Sequence, residues 1–257
     1  MEIYIKRLIS QKFMEIIYWI LVISVAGPII GSIIGVIKKP KDVFMFNMLS
    51  FAAGVMISIS FLELIPQSIS IFSALGCSIG IVIGMLIMYA LDKILPHIHP
   101  ELYKNGEKCD LRITATYLIV GIFLHNFPEG MAVATGTVTG FESMLAISIA
   151  IAVQNVPEGI CTSAPYYYCT KKRLKSFLLS ASTSVPIVIG FYFARFLFQN
   201  ITPQVIGIII GAIAGMMIYI SVHELIPVSC GRNNGINQST TFSLIFGILF
   251  VMFLIFA

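Results

Sequence analysis

The sequence predicts an all-α membrane protein with eight transmembrane helices, and three observations support this fold class. Of its 257 residues, 58% are hydrophobic and only 11% are charged, whereas a soluble domain carries about 25% charged residues. Its mean hydropathy is +0.95, which is more apolar side chain than the core of a soluble protein can bury. Apolar segments long enough to cross a bilayer recur along the whole chain, so we predict a single domain over residues 1–257.

The apolar segments set the number of spans, because a transmembrane helix needs about 20 apolar residues. Eight segments qualify: 14–37, 43–66, 72–95, 112–135, 141–165, 175–198, 203–227 and 240–257. The first is too long for the apolar region of a signal peptide, so we interpret it as a retained span. The longest connection, residues 96–111, is polar.

The basic residues predict the orientation. Twelve of the sixteen Lys and Arg residues lie in, or at the helix ends beside, the connections after spans one, three, five and seven. Because cytoplasmic loops carry an excess of Lys and Arg, we predict that these connections are cytoplasmic and that both termini lie outside the plasma membrane. The net charge of +4 comes from these short clusters, so nucleic acid is not an expected partner.

Two pairs of segments are internal repeats. Residues 53–66 (AGVMISISFLELIP) and 214–227 (AGMMIYISVHELIP) are identical at ten of fourteen positions. HNFPEG at 125–130 similarly matches QNVPEG at 154–159. Each pair occupies one odd and one even span, which cross the bilayer in opposite directions. Inverted repeats are typical of transporters, which place the substrate site near the midplane at the repeat interface.

The second pair of repeats predicts a metal site between spans four and five. Ionisable residues at membrane depth cost about 2.5–3.5 kcal/mol and usually mark function. The polar side chains at matching positions are His125, Asn126 and Glu129 in span four, and Gln154, Asn155 and Glu158 in span five. Facing each other, they offer one imidazole, two carboxylates and three amide oxygens, a set that suits a divalent transition metal. A buried polar network that only joins helices would be the structural alternative.

The prolines and glycines of the same motifs have a local effect on the backbone. Pro128 and Pro157 each remove a helical hydrogen bond in the middle of the cluster, so we predict a kink in both helices. Gly130 and Gly159 carry no side chain and should let neighbouring backbones approach closely.

These residues resemble the ZIP (Zrt-/Irt-like) metal-transporter family, and the short prokaryotic branch in particular. The similarity covers the eight spans, the two N-x-P-E-G motifs, the AAGVM…ELIP segment and the His-containing loop after span three. The resemblance implies a helical bundle in which spans four and five line a metal pathway. The residues that it implies as ligands are His125, Gln154, Glu129 and Glu158 at a first site, Asn126 and Asn155 with the same carboxylates at a second, and Met56 as a soft ligand.

The chain departs from the family pattern at two positions. Val185 stands before Pro186 where relatives often carry a Glu ligand, and Asn155 is neutral where some have Asp. We therefore expect a single-metal site. The resemblance further implies a homodimer in which spans one, four, five and six move against spans two, three, seven and eight.

Other polar residues are expected along the path of the ion. Glu63 matches Glu224 in the first repeat pair and is expected near the outer face, where it would gather cations at the entrance. The resemblance implies that His223 and Glu224 pass the metal toward the cytoplasm. Three further candidates for transient binding lie at or after the end of span three: Asp92, His97 and His99. A solvated helix end or a polar loop would explain these residues without any role in transport.

The predicted function is transport of divalent transition-metal ions toward the cytoplasm, with Zn²⁺ as the first choice and Fe²⁺, Mn²⁺, Co²⁺ and Cd²⁺ as further candidates. The metal is the substrate, and no cofactor is expected. No Walker motif occurs, so a gradient should drive transport, and protonation of the ligands should make uptake pH-sensitive. The alternatives are an intramembrane metal-dependent enzyme, although the sequence contains no HExxH, and a metal-selective channel or receptor.

Overall fold

The computed structural model describes residues 2–38, 40–94, 111–230 and 238–256, which form eight helical rods at the eight predicted spans. Five rods are uninterrupted: α1 Glu2–Ile37, α3 Ala74–Ile94, α4 Leu111–Thr139, α5 Phe141–Thr170 and α8 Gln238–Phe256. Two contain a π turn between α-helical parts. α2 consists of Asp42–Ile59, a π turn at Ser60–Leu64, and Ile65–Ile71, and α7 consists of Pro203–Ile220, a π turn at Ser221–Leu225, and Ile226–Ser229. The remaining rod, α6, consists of Arg173–Ala181, a 3-10 turn at Ser182–Ser184, and Val185–Asn200.

The length and composition of the rods confirm an all-α integral membrane protein. Among the described residues, seven helices are long and apolar enough to cross a bilayer, and none of the described residues lies in a strand. The predicted span 112–135 falls within α4, a helix of 29 residues that is not one of those seven. The number of eight transmembrane spans therefore stays a prediction.

Helix packing places α4 and α5 in the interior of the bundle. α1 runs along α5, α3 along α7, α8 along α2, and the second part of α6 along α4. α4 and α5 also pack against each other, and α5 in addition contacts α2. The two helices that carry the predicted metal motifs are thus surrounded by other helices.

Two motif glycines explain how closely these helices approach. A Cβ atom added to Gly130 would lie 1.9 Å from the carbonyl oxygen of Ile187 on α6, and one added to Gly159 would lie 2.5 Å from that of Pro28 on α1. No side chain fits at these distances, so glycine is required where α4 meets α6 and where α5 meets α1. The predicted close approach of the backbones is confirmed. Both helices continue through Pro128 and Pro157, and the predicted kinks stay a prediction.

The first pair of repeats shares a backbone feature that the sequence did not predict. Ser60–Leu64 and Ser221–Leu225 form π turns at equivalent positions of the two 14-residue repeats. In each, the first serine donates its hydroxyl to the carbonyl four residues earlier, at 2.9 Å in α2 and 2.7 Å in α7. π turns are rare and are frequently found at functional sites. Each turn carries one glutamate, Glu63 or Glu224.

Candidate metal site

The six polar motif residues are buried together between α4 and α5. His125 is 2% exposed, Glu158 is 1% exposed, and the other four side chains are fully buried. Two groups of contacts join the helices, one centred on Glu129 and the other on His125. The sequence prediction that the two motifs face each other is therefore confirmed in its geometry.

Both oxygens of Glu129 are held by amides from the opposite helix. Gln154 Nε2 donates to Oε1 at 2.6 Å, and Asn155 Nδ2 donates to Oε2 at 2.6 Å. A buried carboxylate is costly unless it accepts hydrogen bonds, and these two adjacent donors on α5 supply them. Each oxygen of Glu129 thus accepts one hydrogen bond and keeps a second lone pair.

The imidazole of His125 lies between two carboxylates from different helices. Its Nε2 is 3.5 Å from Oε2 of Glu158 on α5, and its Nδ1 is 3.6 Å from Oε2 of Glu224 on α7. A histidine that binds metal through one ring nitrogen usually directs the other N–H to a carboxylate. His125 has that arrangement, with Glu158 beside one nitrogen and Glu224 beside the other.

Glu224 is thus closer to the cluster than the sequence prediction placed it. That prediction assigned it to the exit path, whereas its carboxylate contacts His125 itself. In the sequence, Glu224 is marked only by its identity with Glu63 in the first repeat pair, which does not reveal its partner.

Several buried nitrogen and oxygen atoms of the cluster have no hydrogen-bond partner among the described residues. They are His125 Nδ1 and Nε2, Asn126 Oδ1, Gln154 Oε1, Asn155 Oδ1, and both carboxylate oxygens of Glu158. Each such atom costs about 1–3 kcal/mol, and buried groups of this kind are rare in folded proteins. Nitrogen and oxygen lone pairs concentrated in one place match the ligand preference of a divalent transition metal.

The ionisable side chains do not complete a ligand set without the amides. Within the described ranges, no group of three His, Cys, Asp or Glu side chains converges closely enough to hold a metal. The carboxylate of Glu129 is instead hydrogen-bonded to Gln154 and Asn155. A metal site here must combine His125 and carboxylates with amide oxygens, or must reorient Glu129.

The contribution of α6 is a backbone carbonyl. Asn126 Nδ2 donates to the carbonyl oxygen of Thr183 at 2.7 Å. Val185, which stands where relatives often carry a Glu, is 47% exposed and does not face the interior. Met56 is fully buried in the apolar core, and its role as a soft ligand stays a prediction.

A second polar group lies beside Glu224, between α3 and α7. His223 Nδ1 is 3.3 Å from Oδ2 of Asp92, and its ring stacks on Tyr219 with 4.9 Å between the centroids. The Tyr219 hydroxyl also donates to Asp92. The side chain of His223 is 49% exposed, so this group extends from Glu224 to the surface. The sequence analysis did not identify Tyr219, and His97 and His99 lie outside the described residues.

The end of the bundle where α2 stops and α5 starts holds a third polar group, Glu63, Gln67 and Ser143, which we call the outer cluster. Gln67 Nε2 lies 2.6 Å from Oε1 of Glu63 and 2.7 Å from the Ser143 hydroxyl. The Ser143 hydroxyl donates to the same oxygen of Glu63. All three side chains are half-buried. Glu63 therefore contacts α5 near its first turn and not at the metal site.

Apolar side chains separate the outer cluster from the site. On α5, Ser143, Ile147, Ala150 and Gln154 follow one another on a single helix face. Ile147 and Ala150 are each 1% exposed. The site is therefore closed by packed apolar atoms toward the outer cluster, whereas polar and partly exposed side chains lie on the side of Glu224.

Comparison with known proteins gives one family and a consistent set of relatives. The family model described as ZIP Zinc transporter matches residues 99–255. The chain is 33% identical over 213 residues to the Zinc transporter ZupT of Enterobacter sp. (strain 638), covering 79% of this chain and 82% of the relative. It is 30% identical over 217 residues to the Zinc transporter ZupT of Escherichia coli O127:H6, covering 81% and 84%, and equally so to that of Escherichia coli (strain K12 / DH10B), over the same shares.

Proposed function

The chain belongs to the ZIP zinc transporter family, and on that premise we propose that Zn²⁺ crosses the membrane toward the cytoplasm through the cluster between α4 and α5. Membership makes the chain a transporter of divalent metal and not an enzyme, so the intramembrane enzyme weighed above is excluded. The position of the site, its ligands and the direction of transport are the proposal.

The main support for this proposal is the group of buried nitrogen and oxygen atoms that have no hydrogen-bond partner among the described residues. Zn²⁺ binds the Nε2 atom of His125 and the carboxylate of Glu158, whose oxygens accept no hydrogen bond among the described residues. The amide oxygens of Gln154 and Asn155, also buried without partners, complete the coordination when their NH₂ groups release Glu129. The ion thereby satisfies atoms whose desolvation the folded chain otherwise leaves uncompensated.

Glu224 and Glu129 regulate the charge of the site. With the metal on Nε2, the Nδ1–H of His125 donates to Glu224, which fixes the ring and strengthens the ligand. Glu129 exchanges its amide donors for the metal, so that two carboxylates neutralise the divalent ion in a buried environment. Binding requires the ligands to be deprotonated, and acidic solution therefore competes with zinc.

A single metal ion per chain fits these residues best. A second ion would need Asn126 and Asn155 as ligands, and both offer only a neutral amide oxygen. The exposed Val185 offers no replacement for the acidic ligand of related transporters. Fe²⁺, Mn²⁺, Co²⁺ and Cd²⁺ are candidate competitors, because the same imidazole, carboxylate and amide set accepts them.

The asymmetry around the site favours a carrier over a channel. The apolar residues Ile147 and Ala150 close one side, while Glu224 and His223 lead away on the other. A carrier alternates access between the two sides of a midplane site. Glu63 serves the entrance, and the group of Asp92 and His223 receives the ion after the site.

The membrane context follows the sequence predictions. We propose that the chain lies in the plasma membrane with both termini outside, because most of its Lys and Arg residues lie in the connections assigned to the cytoplasm. We further propose a homodimer, as the family resemblance implies. Neither feature changes the chemistry of the site, which α4, α5 and α7 of one chain supply.

Zinc binding to the purified protein tests the site. We expect one Zn²⁺ per chain in competition with a chromophoric chelator, and a loss of at least about tenfold in affinity for His125→Ala and for Glu158→Gln. Glu142→Gln is the matched control, because this exposed glutamate lies on the same helix as Glu158. Wild-type affinity in both site variants would remove the assignment.

A further inference from the structure

The outer cluster joins two helices at a place that the metal site does not use. Glu63 and Gln67 lie one turn apart on α2, and Ser143 lies in the first turn of α5. Ser143 and Gln67 both donate to the same oxygen of Glu63, and the Gln67 amide also contacts the Ser143 hydroxyl. The Gln67–Glu63 bond lies within α2, whereas the two bonds of Ser143, to Glu63 and to Gln67, run between the helices and hold the end of α5 against α2.

The inverted repeat gives this contact a counterpart. Glu63 and Glu224 occupy the same position of the 14-residue repeat, and both lie in a π turn. Glu224 approaches His125 at 3.6 Å, whereas Glu63 contacts Ser143. In the second repeat pair the counterpart of His125 is Gln154, which lies eleven residues after Ser143, or about 16 Å along the helix.

The two equivalent glutamates therefore contact the α4–α5 pair at different positions along the helix axes. One lies at the metal site, and the other is separated from it by Ile147 and Ala150, which are buried on the same face of α5. Transporters built from inverted repeats change access when one repeat or bundle rocks against the other around the site. A movement of α4 and α5 against α2 and α7 would bring the site from Glu224 toward its repeat equivalent, Glu63.

We infer that the outer cluster is a latch that keeps the outer side of the site closed, and that its release allows Glu63 to face the site from outside. This inference rests on the proposed carrier mechanism. Gln67 and Ser143 act as positioning residues, because they hold the Glu63 carboxylate at the end of α5 and do not contact the metal cluster. Entry of zinc from outside then requires the contacts of Ser143 with α2 to break.

Reversible cross-linking tests whether the contact must break. In a cysteine-free version of the full chain that retains uptake, Gln67→Cys and Ser143→Cys are joined by a short bifunctional thiol reagent in zinc-free proteoliposomes. The control pair is Ser50→Cys with Thr240→Cys, which links α2 to α8, since the Ser50 hydroxyl donates to the Thr240 carbonyl at 2.7 Å. We expect cross-linking of the first pair to stop zinc uptake and reduction to restore it, while the control pair transports in both states.

A labelling experiment tests the equilibrium without a covalent link. A cysteine introduced by Ala150→Cys is buried behind the outer cluster and reacts with an external maleimide only when that side opens. Ser143→Ala should raise the labelling rate about fivefold, as expected for the loss of one or two hydrogen bonds, and Ser143→Thr should restore the slow rate. Ser148→Ala is the matched control, because the Ser148 hydroxyl bonds the carbonyl of Leu145 within its own helix.

The outcomes separate the latch from the metal site. Failure of the Gln67–Ser143 pair to cross-link, full transport by the cross-linked protein, or equal labelling rates with serine and alanine at position 143 would each overturn the latch. None of these results affects the zinc affinity of the cluster around His125. Conversely, loss of the site assignment would appear as unchanged zinc binding in His125→Ala, whatever the labelling rates.

Discussion

Replacement of Gly130 by alanine should disrupt both the bundle and the metal site. Gly130 follows the predicted ligand Glu129 and packs against α6, where an added Cβ would lie 1.9 Å from the carbonyl oxygen of Ile187. Ordinary contact begins at 3.4 Å, so α4 and α6 must separate by about 1.5 Å. The obstacle is backbone, which cannot rotate away as the end of a flexible side chain could.

The expected cost follows from this separation. Overpacking of a dense interior destabilises a protein by about 1–3 kcal/mol. In a chain of this size, a destabilisation of about 2 kcal/mol lowers Tm by about 4–8 °C. The same displacement moves Asn126 away from the Thr183 carbonyl, to which it donates at 2.7 Å. Zinc uptake per folded molecule should therefore decline together with stability.

The matched control is Gly121→Ala on the same helix. A Cβ at Gly121 meets no atom of the described part of the chain within 4 Å, and alanine favours a helix over glycine by about 1 kcal/mol. Thermal unfolding monitored by size-exclusion fluorescence, together with zinc uptake into proteoliposomes, should show a loss for Gly130→Ala and wild-type or slightly higher stability for Gly121→Ala. Equal Tm values for the two variants would refute the packing argument.

Three further predictions concern the cluster and its exit. Glu129→Gln removes a negative charge and leaves one acceptor oxygen for the two amide donors of α5. The zinc affinity measured by chelator competition should therefore fall at least about tenfold, and an unchanged affinity would exclude Glu129 as a ligand. His223→Phe keeps a ring that stacks on Tyr219 but removes the nitrogen near Asp92. Zinc release into vesicles containing a fluorescent indicator should therefore slow, while the affinity of the site for zinc is unchanged. Val222→Ala, at an exposed neighbouring position, should have no effect on either quantity. Acidification from about pH 8 to about pH 5 on the side of zinc addition should raise the apparent KM for zinc, because protons compete for imidazole and carboxylate; a constant KM would contradict a site built from these groups.

Most of the fold could be predicted because its signals are local. Composition and apolar segment length identify membrane helices without knowledge of their neighbours, and the described helices lie where these signals placed them. The π turns at Ser60–Leu64 and Ser221–Leu225 could not be predicted in this way. They depend on small shifts of backbone hydrogen bonds, for which the repeated serine was at most a weak indication.

The sequence predicts which residues form the candidate site but not which of them contact one another. Spacing alone placed His125 and Glu129 on one helix face and their counterparts on the next helix. Which side chains meet across the gap depends on helix rotation and rotamers, so the amide contacts of Glu129 were not foreseeable. The contact of Glu224 with His125 joins distant parts of the chain and depends on the packing of α7.

Uptake of radioactive zinc into proteoliposomes, with competing divalent ions, tests the central claim most directly. The wild-type protein is compared with His125→Ala and Glu158→Ala at equal amounts of folded, reconstituted protein. If α4 and α5 share the transported ion, the wild type should show saturable uptake that related transition metals inhibit, and both variants should lose most of it. Equal uptake by all three proteins would contradict the account, because zinc would then cross by a route that avoids these side chains.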